Sequence, residues 1–153
     1  MEISIVDYSH RYAKAFKSLN EQWIRNYFEI EEADLLALDD PEGYVLNKDG
    51  HILVALNGSD PIGVVALIPH GERCFELAKM AVSPVFQGKG IGWMLGEAAI
   101  NKAKLYGAQR LFLDSNTVLE PAIKLYRKLG FYEIESGASP YRRCNIQMEM
   151  ILK

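Results

Sequence analysis

The spacing of hydrophobic and polar residues changes along the chain, and it predicts the order of the strands and helices. Alternation predicts a strand over 2–7, and apolar residues three or four positions apart predict a helix over 10–28. A short second helix over 31–38 is predicted to stop at Asp40-Pro41. Three strands joined by short turns follow, and we expect them to pair antiparallel. These strands cover 51–57, 61–69 and 74–82.

The second half of the chain alternates helix and strand. Helices are predicted over 90–106 and 121–129, each followed by a glycine suited to a helix C-terminus. The remaining strands cover 110–114, 131–134 and 145–152, with a small-residue loop over 136–141. This order predicts one α/β domain over 1–153, a mixed and mostly antiparallel seven-stranded sheet with helices on both faces.

Composition narrows the class of protein. The 153 residues suit one domain, and 49% hydrophobic with 24% charged residues is typical of a folded globular chain. A net charge of -3 speaks against a protein that mainly binds nucleic acid. No signal-peptide pattern and no apolar stretch of ~20 residues is present, so we expect a cytoplasmic protein without membrane contact. Cys74 and Cys144 lack metal-ligand spacing, so we expect reduced thiols and no metal.

A glycine-rich turn between a predicted strand and helix is the most informative stretch. The N-terminus of a helix offers unpaired N–H groups and the positive end of its dipole, which suits a phosphate. The Gly-x-x-x-x-Gly-Lys-Ser/Thr pattern of a P-loop is absent. The dinucleotide pattern Gly-x-Gly-x-x-Gly fails from both Gly88 and Gly90. The pattern that remains is Gln-x-x-Gly-x-Gly, formed by Gln87, Gly90 and Gly92.

This turn resembles the acyl-CoA-binding motif of the GNAT superfamily of N-acetyltransferases. Residues 77–84 are similar to the family's fourth strand, 114–116 to the end of its next strand, and 122–131 to its late helix. The resemblance implies the GNAT fold, acetyl-CoA as co-substrate, and no metal. It implies transfer of an acetyl group to a primary amine by direct attack in a ternary complex.

The resemblance also implies which residues bind the cofactor. The pyrophosphate would lie on the turn, at Gln87, Gly88, Lys89, Gly90, Ile91 and Gly92. The pantetheine arm would pair with the backbone of Met80, Ala81 and Val82, and an amide near Met80 would face the thioester carbonyl. Asn116 would contact the pantetheine or order the strand end, and its alternative role is an ordinary helix cap.

Two side chains are candidates for proton transfer. Tyr126 matches the family's general acid, since a phenol with a pKa of ~10 can donate at neutral pH; the alternative is a core tyrosine. Glu76 is a carboxylate on a mostly apolar strand, which makes it a candidate base. Its alternative is a solvent-facing residue, with ordered water acting in its place. Alternation predicts that Lys79 points to the face opposite Glu76, which makes it a less convincing participant.

The acceptor pocket of the family comes from the first helices and the late strands. Here those elements supply Trp23, Tyr27, Phe28, Glu31, Glu32, Asp34, Tyr141, Arg142 and Arg143. The acidic run Glu29–Asp34 either attracts a cationic amine or, as we favour, is a solvated helix start. The loop Ser139–Arg143 is a candidate contact for an acidic group on the substrate or on a neighbouring subunit.

The function predicted from the sequence is acetylation of a small-molecule amine, with a homodimer expected by resemblance. Acetylation of a peptide or protein amine is one alternative. A non-catalytic acyl-CoA-binding module is a second. A dinucleotide-binding oxidoreductase is disfavoured by the failed glycine spacing.

Overall fold

The computed structural model describes residues 1–152, which form a single open sheet flanked by helices. The strands are β1 (Ile3–Asp7), β2 (His51–Asn57), β3 (Asp60–Pro69), β4 (Cys74–Val82), β5 (Arg110–Ser115), β6 (Tyr132–Ile134) and β7 (Ile146–Ile151). Their order in the sheet is β1-β2-β3-β4-β5-β7-β6, and only the β4–β5 pair is parallel. The predicted seven-stranded mixed sheet is therefore confirmed, and no strand end lies more than one residue from its predicted position.

Five α-helices accompany the described strands. They are α1 (Ala13–Tyr27), α2 (Glu32–Leu38), α3 (Pro41–Tyr44), α4 (Ile91–Leu105) and α5 (Glu120–Leu129). The α3 turn was not predicted, because Pro41 was interpreted only as the end of α2. Proline fits the first position of a helix, and Asp40 caps α3 by accepting a 3.0 Å hydrogen bond from the Gly43 N–H.

Hydrophobic clusters fill both faces of the sheet, as predicted. One lies between the sheet and α4, and its fully buried members include Leu67, Ile91, Leu95, Leu111 and Met148. The other lies under α1 and α2, and its members include Phe16, Ile24, Leu38, Val54 and Val64. Cys74 is buried, Cys144 is partly exposed, and both are free cysteines. Within residues 1–152, no helix combines the length and apolar character needed to cross a bilayer.

The parallel pair β4–β5 separates after three rungs. Pairing runs from Cys74 opposite Arg110 to Glu76 opposite Phe112, and no further rungs follow. On its other side β4 stays paired with β3 as far as Val82. The second half of β4 therefore has a strand on one side only, and a cleft opens where β5 turns away.

A β-bulge interrupts β4 at the level of this cleft. Ala78 pairs with Ala66 and Ala81 pairs with Val64, so two residues of β4 oppose the single residue Val65. Lys79 is one of these two and has a left-handed backbone, with φ of 53°. The bulge breaks the regular alternation from which the orientation of Lys79 was predicted, and the charges of Lys79 and Glu76 lie close enough to shift each other's pKa. The prediction that they face apart is wrong.

Candidate active site

A cleft of about 730 Å³ lies between β4, the N-terminus of α4, the end of β5 and α5. Its far end is closed by the end of α1 and by the loop before β7. The predicted site residues that line it are Glu76, Met80, Ala81, Val82, Gln87, Gly88, Gly90, Ile91, Gly92, Asn116 and Tyr126. Lys89 lies exposed in the same turn but is not among the lining residues.

The turn before α4 owes its shape to two glycines. Gly88 and Gly90 have φ of 78° and 82°, a left-handed conformation that residues with a Cβ adopt at a cost. A Cβ at either position would meet nothing within 4 Å, so conformation rather than crowding requires glycine. The Gln87 side chain donates a 3.1 Å hydrogen bond to the Val82 carbonyl and ties the turn to the end of β4. The first N–H groups of α4 are thereby placed at the cleft.

Gly92 is a glycine for a different reason. A Cβ there would lie 3.0 Å from Cδ2 of Leu125, and one at Gly96 would lie 2.5 Å from Cδ1 of Leu129. These two glycines let α4 and α5 approach closely. Because α5 carries Tyr126, this approach also fixes the wall of the cleft opposite β4.

Glu76 stands at the point where β4 and β5 begin to separate. Burial and, to a smaller extent, the nearby charge of Asp114 raise the pKa of the Glu76 carboxyl to about 7, although the charge of Lys79 opposes the shift. Asp114 accepts hydrogen bonds from Ser139 at 2.8 Å and from Gln147 at 2.9 Å. Glu76 therefore exchanges its proton near neutral pH. Its alternative as a plain solvent-facing residue does not fit its half-buried position in the wall of the cleft.

Tyr126 faces the cleft from α5 while its ring packs against the core. The ring lies 6.1 Å from that of Phe131, centroid to centroid. Burial raises the pKa of the Tyr126 phenol to about 12, so it is protonated at neutral pH. The two interpretations offered by the sequence, a core residue and a proton donor, are therefore compatible.

A buried ionic cluster closes the far end of the cleft. We define the Asp34 cluster as Glu31, Asp34, Lys79, Tyr141 and Arg143. Lys79 Nζ donates to Asp34 Oδ1 at 2.6 Å and to the Tyr141 hydroxyl at 3.2 Å. Arg143 binds Asp34 with both terminal nitrogens, at 2.6 and 2.8 Å, and contacts Glu31 at 3.3 Å. The cluster joins α2, β4 and the loop before β7.

Asp34 is the centre of this cluster and its side chain has no exposed surface. Burial alone would raise the pKa of Asp34, but the hydrogen bond from Arg143 and the charge of Lys79 bring it down to about 2. The favoured interpretation of the acidic run as a solvated helix start is therefore wrong for Asp34, although Glu32 is exposed. Lys79 was missed by sequence reasoning. Its signal was a cation on an apolar strand, the same signal that singled out Glu76.

Asn20 and Asn116 fix the two sides of the cleft through the backbone. Asn20 is buried in α1 and donates to the Lys79 carbonyl at 3.1 Å, which holds the bulge. Asn116 Oδ1 accepts from the Val118 N–H at 2.8 Å, and its Nδ2 donates to the Arg143 carbonyl at 2.7 Å. Its side chain thus orders the end of β5 and the loop before β7.

The sheet is open and mixed, it splits beside one short parallel pair, and a glycine turn lies at the split. This arrangement defines an N-acyltransferase type of α/β fold. Residues 13–131 match the sequence model of the acetyltransferase (GNAT) family. The chain therefore belongs to the GNAT family, and the family predicted from the turn is confirmed. Among residues 1–152 no group of three or more His, Cys, Asp or Glu side chains is arranged to hold a metal ion.

Curated relatives share part of their length with this chain. It is 35% identical over 104 residues to N-acetylaspartate synthetase of Rattus norvegicus, a match that covers 67% of the chain and 34% of that protein. It is 32% identical over 101 residues to the uncharacterized N-acetyltransferase YvbK of Bacillus subtilis, covering 64% of the chain and 65% of that protein. The chain thus spans about a third of the synthetase.

Solved structures match over the full described fold. A GNAT acetyltransferase from Staphylococcus aureus superposes with a TM-score of 0.90 at 24% identity, covering 99% of both chains. The paia N-acetyltransferase of Thermoplasma acidophilum, in complex with coenzyme A, superposes with a TM-score of 0.79 at 20% identity. That match covers 99% of this chain and 100% of the other. At these identities the likeness supports the fold.

Proposed function

We propose that this protein transfers the acetyl group of acetyl-CoA to the primary amine of a small molecule. The observation that carries the proposal is a single cleft with a proton acceptor, Glu76, on one wall and a proton donor, Tyr126, on another. The mouth of the same cleft holds the left-handed glycines of the turn and the start of α4. One cavity can thus hold the nucleophilic amine and the acyl donor beside two proton-transfer groups.

The residues present fit acetyl-CoA as the acyl donor. The amides of the turn and the positive end of α4 suit its pyrophosphate, as predicted for Gln87 to Gly92. Lys124 and Lys128 of α5 also line the cleft, and Lys89 lies in the turn, so local cations offset the net negative charge of the chain. The open edge of β4 at Met80, Ala81 and Val82 suits the amides of the pantetheine arm, which would pair there like an added strand.

The proposed reaction moves three protons. The Glu76 carboxylate takes a proton from the acceptor ammonium, and the neutral amine attacks the thioester carbonyl carbon. A C–N bond forms and the C–S bond breaks, and the Tyr126 hydroxyl donates its proton to the leaving thiolate. The nitrogen then loses its second proton to the Tyr126 phenolate through water, and Glu76 releases its proton to solvent, so both side chains regain their starting forms. A backbone N–H near Met80 would stabilise the oxyanion. Most of the rate enhancement would come from holding the amine beside the thioester.

Enclosure of the far end of the cleft favours a small acceptor. Trp23, Tyr27, Phe28 and Tyr141 wall this end, and the Asp34 cluster holds the loop before β7 against it. The names N-acetylaspartate synthetase and mycothiol acetyltransferase, carried by two relatives, also refer to small molecules. A homodimer and a cytoplasmic location stay predictions.

Calorimetry and thiol release together test the proposal. We expect acetyl-CoA to bind in a titration, and free thiol to appear when a panel of small amines is added. Acetyl-CoA binding without thiol release from small amines, peptides or proteins would instead support a non-catalytic acyl-CoA-binding module. Thiol release with peptides alone would instead indicate that the acceptor is a peptide or protein amine. Binding of NAD(P) and not of acetyl-CoA would favour the oxidoreductase.

A further inference from the structure

The guanidinium of Arg143 has more donors than the protein uses. It carries five N–H groups, of which both on Nη1 and one on Nη2 bond to Glu31 and Asp34. No acceptor among residues 1–152 bonds to Nε or to the second N–H of Nη2. These two N–H groups are parallel in a planar guanidinium and form a fork that matches a carboxylate.

This unused fork opens to the cleft. Arg143 lines the cleft with a side chain that is only 11% exposed. Among residues 1–152 the fully buried polar side-chain atoms without a partner are Ser9 Oγ and His51 Nε2, so Arg143 Nε, which also has no partner, is not fully buried. The guanidinium is held between the rings of Tyr141, Trp23 and Phe28, at 4.8, 5.6 and 5.8 Å from their centroids. The three rings and the two carboxylates restrain the guanidinium, so the fork is held in one orientation in which it can bind a ligand.

Side chains of both charges line the cleft. Lys79 and Arg143 line it, whereas their partners Asp34 and Glu31 do not. Glu76 and Asp114 also line it. A ligand therefore meets two cations and two carboxyl groups in the same cleft. Such an arrangement complements a zwitterion, with its ammonium toward the carboxyl groups and its carboxylate toward the cations.

We propose that the acceptor is an amino acid, a small amine that also carries a carboxylate, and that the Nε–H and Nη2–H fork of Arg143 binds this carboxylate. The inference rests on the proposed function and deepens it. Asp34 and Glu31 have a separate role, since they hold the guanidinium in place from behind. A polyamine fits poorly, because its second ammonium would face Lys79 and Arg143.

Matched sets of acceptors test the inference on the wild-type chain. The panel is the twenty standard amino acids, β-alanine and 4-aminobutyrate, followed by the amide and the decarboxylated amine of each accepted compound. We expect kcat/KM for the acid to exceed that for its amide and its amine by about 10- to 100-fold. Each KM is expressed as the concentration of unprotonated amine, because the three compounds differ in the pKa of the amine. Comparison of β-alanine and 4-aminobutyrate with the α-amino acids measures which distance between ammonium and carboxylate the cleft accepts.

Arg143→Lys tests the fork itself, with Arg142→Gln as the matched control. Lysine keeps a cation beside Asp34 but has no fork, so KM for the acid should rise about 10- to 100-fold while KM for acetyl-CoA stays unchanged. The preference for acid over decarboxylated amine should fall by the same factor. Arg142 has a 90% exposed side chain and does not line the cleft, so the expectation that it contributes to the acceptor pocket is wrong. Arg142→Gln should therefore leave both values unchanged.

The outcomes separate two kinds of failure. Decarboxylated amines that react as well as their acids would overturn the inference and leave the acetyltransferase proposal intact. An equal loss for both acceptors in Arg143→Lys would also overturn it, since the effect would then be structural. Acetyl-CoA binding with no small amine acetylated would overturn the proposed function and the inference with it. If Arg143→Lys does not fold, the wild-type comparison of acid and amine decides.

Discussion

The ammonium nitrogen of Lys79 lies 2.6 Å from a carboxylate oxygen of Asp34, and both side chains are almost completely buried. The two residues are 45 positions apart in the sequence. Arg143 shares the same carboxylate from a loop 109 positions away. One acidic side chain thus pairs with two cations from different parts of the fold, and Glu31 supplies the second negative charge beside Arg143.

Asp34→Asn should destabilise the fold strongly. It would leave the charges of Lys79 and Arg143 buried without their main partner, which costs on the order of 3–5 kcal/mol in unfolding free energy. Lys79→Met should cost less, because Arg143 still neutralises Asp34. Urea denaturation of the two variants measures both losses. The exposed Glu32→Gln on the same helix is the control, and an equal loss in all three would contradict the role given to Asp34.

The rate of acetyl transfer should depend on the protonation of Glu76. Burial raises its pKa to about 7, and the base must be in its carboxylate form to accept a proton. We therefore expect kcat/KM to fall as the pH drops through about 7. Glu76→Gln should lower turnover about 100-fold and remove this break from the pH profile. A variant that keeps the wild-type rate and the same break would assign the base to ordered water or to the substrate.

Tyr126→Phe removes one hydroxyl and keeps the ring that packs near Phe131. Because the phenol stays protonated at neutral pH, its loss should affect donation to the thiolate and not the fold. We expect turnover to fall about 100-fold or more, with the Kd for acetyl-CoA nearly unchanged. Stopped-flow thiol release and calorimetry measure the two quantities. Unchanged turnover would return Tyr126 to a purely structural role.

Gly90→Ala should weaken binding of acetyl-CoA, and Gly58→Ala provides a matched comparison. Both glycines are left-handed, with φ of 82° and 61°, and a Cβ would find open space at each. Each substitution should cost about 1–2 kcal/mol of stability through backbone strain. Only Gly90 lies in the turn at the cleft, so only its variant should raise the Kd for acetyl-CoA. Equal Kd values would remove the turn from cofactor binding.

Local patterns were sufficient to predict nearly all the strands and helices. The alternation of β1, the turns around β3 and the glycines after α4 and α5 are properties of neighbouring residues, and they predicted element ends to within a few positions. The turn over 87–92 was found for the same reason, since its chemistry depends on consecutive glycines and the helix that follows. The α3 turn was missed because Pro41 both ends one helix and begins the next.

The Asp34 cluster could not be predicted, because its contacts join distant segments. Alternation placed Lys79 on the wrong side, since the bulge in β4 has no signature in the sequence around it. Asp34 looked like one of several surface acids until α2, β4 and the loop before β7 were assembled. The distinction between Arg142 and Arg143, one exposed and one holding an open fork, likewise follows only from the folded chain.

The position of β7 between β5 and β6 has a consequence for synthesis of the protein. A ribosome-bound chain that has emerged only as far as residue 145 has no strand to join β5 to β6, and Asp34 and Lys79 await the ordering of Arg143 beside β7. The same segment therefore completes the sheet and the far wall of the cleft. A chain from which β7 has not yet emerged would lack both, so the proposed acceptor pocket forms only once this segment has left the ribosome.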